Sequence, residues 1–79
     1  MKQEFTLDNL RIGESCRVVE IRNNGSIRRR LLDLGLVPGT IVTAVLISPF
    51  KDPIAYKIRN ATIAIRKSDS KNIIVEELS

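Results

Sequence analysis

The sequence contains no histidine and no tryptophan, and a single cysteine. Without histidine, nucleophile systems that lean on an imidazole base are excluded. Zinc, copper and iron–sulfur sites lose their commonest ligands too, Cys16 being the one thiol. A lone thiol forbids an intramolecular disulfide, which suits a reducing cytosol. Phe5, Phe50 and Tyr56 are the only aromatics, so the core must be built from Ile, Val and Leu. With Tyr56 expected to face inward, no platform remains on which bases would stack. The most apolar run, Ile41 to Ile47, is interrupted by Thr43 and is too short to cross a bilayer. No N-terminal segment joins a basic head to an apolar stretch and a small-residue cleavage site. A cytoplasmic location is therefore expected, and Asn24-Gly25-Ser26 and Asn60-Ala61-Thr62 read as turn chemistry rather than glycosylation sites. Gly35 to Gly39 lacks the spacing and the Lys-Ser/Thr ending of a phosphate loop.

What remains suits one small folded domain, expected to span residues 1–79. A composition of 43% hydrophobic and 28% charged residues argues against disorder. Thirteen Lys and Arg against nine Asp and Glu give a net charge of +4. That allows an acidic partner, whether nucleic acid, anionic membrane or acidic protein surface, without choosing among them. The chain is too short to hold both a core and a deep catalytic pocket with ease, and no enzyme, cofactor or metal site is expected. Cys16 reads as a small buried hydrophobe. Glu76-Glu77 reads as a solvated chain end, since neighbours on a strand face opposite ways.

Along the chain, Thr6 to Ser15 forms a lead-in anchored by Leu7, Leu10 and Ile12, with Gly13 as a turn. Cys16 to Arg22 reads as a strand, ended by Asn23-Asn24-Gly25. Ser26 is placed to cap a short helix running to about Leu34, with Ile27, Leu31 and Leu34 as its apolar stripe. Gly35 is expected to stop it in a left-handed cap, and Pro38-Gly39 to form a type II turn. Thr40 to Ser48 is apolar on both faces and reads as a strand in mid-core. A loop bracketed by two prolines, Ser48 to Pro53, follows. Ile54, Tyr56 and Ile58, then Ile63 and Ile65, alternate with outward residues about a turn at Asn60-Ala61, which predicts a hairpin with one buried face. Ser68 to Ser70 reads as a helical turn and Ile73 to Leu78 as a closing strand. The whole is an all-β chain with one short helix: a small barrel of about five strands, closed to remove its edges.

Two surfaces stand out as candidates for partner binding. Arg28, Arg29 and Arg30 set three cations in the first turn of the expected helix, where the dipole favours anions. Asp33 is positioned to offset part of this through a pair with Arg29. Local rules broken in this way mark candidate functional positions. The same charges also suit a merely solvated face. The second surface is the loop carrying Pro49 and Phe50. Phe50 is expected to fold back onto the barrel; left exposed, it would be an anchor for a protein contact.

Leu31-Leu32-Asp33-Leu34-Gly35-Leu36-Val37-Pro38-Gly39-Thr40, then Val42 and the Ser48–Pro53 loop, resembles the ferrous iron transport protein A (FeoA) family. The opening Leu7…Leu10…Ile12-Gly13-Glu14-Ser15, the hairpin through Ile65 and the Ile73 to Val75 ending are similar as well. The resemblance implies an SH3-like barrel, no catalysis and no private iron site. It also implies a regulatory or assembly role in the cytoplasm beside a membrane ferrous iron transporter that carries a GTP-binding domain. The helix and the Pro49 loop would then lie side by side. A small basic nucleic-acid-binding barrel is the alternative, although nucleic acid is not the expected partner. Self-assembly into a homo-oligomer is a third reading.

Overall fold

The computed structural model describes residues 3–78. Its strands are β1 (Glu4–Thr6), β2 (Ser15–Ile21), β3 (Ile41–Ile47), β4 (Ile54–Ile58), β5 (Ala61–Ile65) and β6 (Ile73–Glu77). Helix α1 (Gly25–Asp33) joins β2 to β3, and the short α2 (Lys67–Ser70) joins β5 to β6. All pairings are antiparallel in one six-stranded sheet of order β1-β6-β2-β3-β4-β5. The sheet curls on itself in the SH3-like manner but remains open, with β1 and β5 as its edges. Register shifts at Val18/Glu20 and Ala44/Leu46 supply the bends that such curling needs.

The expected strand count of about five falls short by β1, which pairs with β6 through Phe5 and Val75. Three residues are too few to show a period, and their pairing is a tertiary fact. Leu7 and Leu10 anchor the core as expected, whereas Ile12 is 46% exposed. Cys16, Val18, Val42, Tyr56, Ile58 and Val75 fill the inside of the curl, all essentially inaccessible. Burial pushes the Cys16 thiol up to about 12, because a thiolate there would have no water to solvate it. Tyr56 is raised to about 12 chiefly for the same reason; its hydroxyl donates to the Leu7 carbonyl at 3.4 Å.

β3 departs most from expectation. Only Val42 and Ala44 are buried, while Ile41, Val45, Leu46 and Ile47 are 39–65% exposed. The strand has a core on one face only, and the irregularity at Val45 turns its last three residues outward. The hairpin is as expected except that its turn is Arg59-Asn60, one residue early, with Arg59 at φ 56.

The motif after α1 locks the helix in place. Leu36 N–H donates to the Leu31 carbonyl and Gly35 N–H to Leu32, both at 3.0 Å, with Gly35 at φ +105. This is a Schellman cap, completed by contact between buried Leu31 and Leu36. The Val37–Thr40 turn follows as expected, Thr40 N–H donating to Val37 at 3.0 Å with Gly39 at φ +94. It is stitched to β2 by bonds from Gly39 to Val18 and from Val18 to Thr40. The Thr40 hydroxyl closes on the Gly35 carbonyl at 2.9 Å.

Candidate docking site

Helix α1 opens at Gly25, with Asn24 rather than Ser26 at its N-cap and no capping bond from the Asn24 side chain. Starting there, the helix is so short that Arg30 already belongs to its last turn, where the dipole favours a cation. The conflict expected between the arginines and the dipole is thus largely relieved. Of the expected stripe only Leu31 is buried; Ile27 and Leu34 are 45% and 37% exposed. Leu31 alone reaches the core, because little of the helix packs against the strands.

All three arginines are exposed, yet they are not equivalent. Arg28 reaches back and donates to the Ile21 carbonyl, tying the helix to the end of β2. Arg29 and Arg30 make no side-chain hydrogen bond or ion pair among the described residues. The Arg29–Asp33 pair does not form; among the described residues the ion pairs are Arg17–Glu76 at 3.6 Å and Glu20–Arg22 at 3.4 Å. An Arg placed ahead of its acidic partner runs against the favoured order for such pairs, and both groups are well solvated. Glu76, expected as part of a solvated chain end, is instead half-covered against Arg17, its partner across the β2–β6 ladder.

The second surface lies between β3 and β4. Ser48 accepts from the Lys51 amide at 2.9 Å, closing a turn with Pro49 and Phe50 at its tip. Lys51 follows at φ 67 and the Asp52–Pro53 bond is cis. Asp52 Oδ1 accepts from the Lys67 amide at 2.8 Å and so fastens the loop to the start of α2. Phe50 does not fold back: it is 91% exposed. Sequence reasoning missed its setting, for Val45, Leu46 and Ile47 just before the loop also face out. The apolar doublet pattern of β3 was the available signal, and it reads equally well as burial on both faces.

Helix and loop meet only in part. Arg30 and Leu34 share a cleft with Pro53, Ala64 and Arg66. Arg28, Arg29 and Asp33 line a different depression with Gly25 and Leu32, and Pro49 and Phe50 border neither. Among the described residues no three His, Cys, Asp or Glu side chains gather as metal ligands, and no helix is long and apolar enough to cross a membrane. What the surface offers is an uncommitted cationic helix face, with Arg29 and Arg30, and a protruding aromatic, Phe50.

A family model described as the FeoA domain matches residues 5–77. The chain is 33% identical over 73 residues to the Fe(2+) transport protein A/Fe(2+) transporter FeoB fusion protein of Porphyromonas gingivalis. That match covers 92% of this chain and only 9% of the fusion protein. The NMR structure of a FeoA-like protein from Clostridium acetobutylicum is similar at a TM-score of 0.87 and 33% identity, covering 100% of this chain and 92% of that one. The zinc-complexed FeoA of Stenotrophomonas maltophilia, described as a procaryotic SH3 domain protein, is similar at 0.81 and 31% identity, over 90% of this chain and 88% of that one.

Proposed function

Because the chain belongs to the FeoA family, we propose that it is a small non-enzymatic accessory protein that docks on the ferrous iron transporter at the cytoplasmic face of the membrane. The observation that carries this reading is the Porphyromonas gingivalis relative, in which the counterpart of this chain is joined to the transporter in one polypeptide. A fusion keeps the two parts at high effective concentration, as expected for parts that work in contact. The contact is made by Arg29 and Arg30 on α1 and by Phe50 with Pro49 on the β3–β4 loop. The cations steer the approach to an acidic surface, and Phe50 supplies the buried anchor. Arg28 is excluded from that set because its guanidinium holds the fold together at Ile21. The GTP-binding domain of the transporter is the region expected to meet this surface.

The test is recovery of detergent-solubilised transporter on tagged wild-type, Arg29→Glu/Arg30→Glu and Phe50→Ala proteins. Each variant alters only exposed groups, so thermal stability should stay within about 0.5 kcal/mol of wild type. Recovery should fall roughly tenfold or more, the loss expected on removing a central anchor. Undiminished recovery by both variants would show that the docking surface lies elsewhere.

A further inference from the structure

The two edges of the open sheet are unlike. β1 is three residues long and begins with Glu4, and a short, charged edge discourages further pairing. β5 presents Ala61-Thr62-Ile63-Ala64-Ile65, with no charge, no proline and an unbroken register against β4. None of the usual devices that blunt an exposed edge is built into it.

Its main-chain groups face the right way to receive another strand. Ala44 donates to the Glu14 carbonyl and accepts from the Gly13 amide, so alternation turns Thr43 toward Lys57 on β4. The same alternation turns Tyr56 and Ile58 toward β5, and Thr62 and Ala64 away from the sheet. Thr62 and Ala64 are both exposed. Among the described residues no main-chain hydrogen bond from outside the hairpin reaches either. Beside this edge runs a cleft of about 230 Å³, lined by Arg30 of α1 and its C-cap Leu34 together with Ala64, Arg66, Pro53 and Asp69 among others.

Charge selects the occupant. Lys57 lies across the ladder from Thr62, Arg59 forms the adjoining turn, and Arg30 and Arg66 line the cleft. Against these cations stands the Asp69 carboxylate, that of Asp52 being engaged by the Lys67 amide. A second copy is disfavoured because it would bring this cation-rich edge, with Lys57, Arg59, Arg30 and Arg66, against its own like. We infer that the free edge of β5 receives an extended, acidic segment of the partner protein as a seventh strand. Thr62 and Ala64 make the main-chain bonds, Leu34 takes an apolar side chain, and Arg30, Arg59 and Arg66 meet carboxylates. The inference rests on the docking reading and gives the partner segment its chemistry.

The test uses the isotope-labelled full chain with two synthetic probes, Glu-Glu-Val-Thr-Val-Thr-Val-Glu-Glu and its twin with Lys in place of every Glu. The acidic probe should shift the Thr62 and Ala64 amide signals and slow their hydrogen exchange at least about tenfold, while the Lys probe should not. Ala64→Pro removes an outward N–H without touching the hairpin ladder and should abolish the effect. Arg66→Glu, an exposed change, should weaken it if Ala64→Pro proves unstable. Equal binding of both probes, binding of neither, or a doubling of molecular size through β5 would overturn the inference. Recovery of the transporter by Ala64→Pro at wild-type level would sink the edge while leaving docking intact. Failure of the wild type to recover the transporter would sink docking itself.

Discussion

Leu34 and Leu36 flank the same glycine, and the structure assigns them opposite fates. Leu36 is fully buried and closes the Schellman cap against Leu31; Leu34 is 37% exposed at the rim of the cleft. Leu36→Ala removes a side chain with neighbours on every side and leaves a hole that the stitched Val37–Thr40 turn has little freedom to fill. The loss should be about 3 kcal/mol. A domain of this size has only about 4–12 kcal/mol in hand, and its melting temperature should drop by about 12–24 °C. Leu34→Ala surrenders far less buried area and should cost about 1 kcal/mol or less. Thermal and urea unfolding of the two variants, followed by circular dichroism, gives the comparison directly. Equal losses, or a larger loss at Leu34, would refute the anchoring of α1 through Leu31 and its cap.

Alkaline stability should depend on the two buried acids. Cys16 is raised from 9.0 to about 12, so the unfolded chain ionises first. Its contribution is complete below about pH 9 and declines toward pH 12, with about 2 kcal/mol lost by about pH 10.5. Tyr56 acts in the same sense from pH 10.0 upward. Cys16→Ala should flatten the fall in urea midpoint between about pH 9 and 11; an unchanged slope would mean that the thiol is not the titrating group. Asp52→Ala frees the Lys67 amide at the start of α2 and should cost about 1 kcal/mol, with faster exchange at Lys67 as the local sign. No change at Lys67 would show that the Asp52 contact does not hold the loop.

Much of the fold could be read from residues whose chemistry leaves little choice. Gly35 and Gly39 sit at positive φ, where other residues are strained, so the helix stop and the type II turn were both legible. Strict alternation from Ile54 to Ile65 announced the hairpin, although the turn slid by one because Arg59, not Asn60, took the left-handed position. The errors arose where the outcome depends on what packs against a residue. Ile27, Leu34, Leu46 and Phe50 are as apolar as core residues, but the sheet is open and little of α1 packs against it, so they stay exposed. Within the candidate site, charge and the exceptional loop were visible in the sequence. The commitment of Arg28 to Ile21 and the unguarded edge of β5 required coordinates.

The central claim, that this chain works by docking on the ferrous iron transporter, is tested most directly by co-purification. Tagged protein would be recovered from detergent-solubilised membranes at low and high salt and everything bound identified. The account predicts the GTPase-containing iron transporter among the retained proteins, weakened but present at high salt as expected for steering charges around an apolar anchor. Recovery of nucleic acid alone, lost as salt releases its counterions, would contradict the account and favour a basic nucleic-acid-binding barrel.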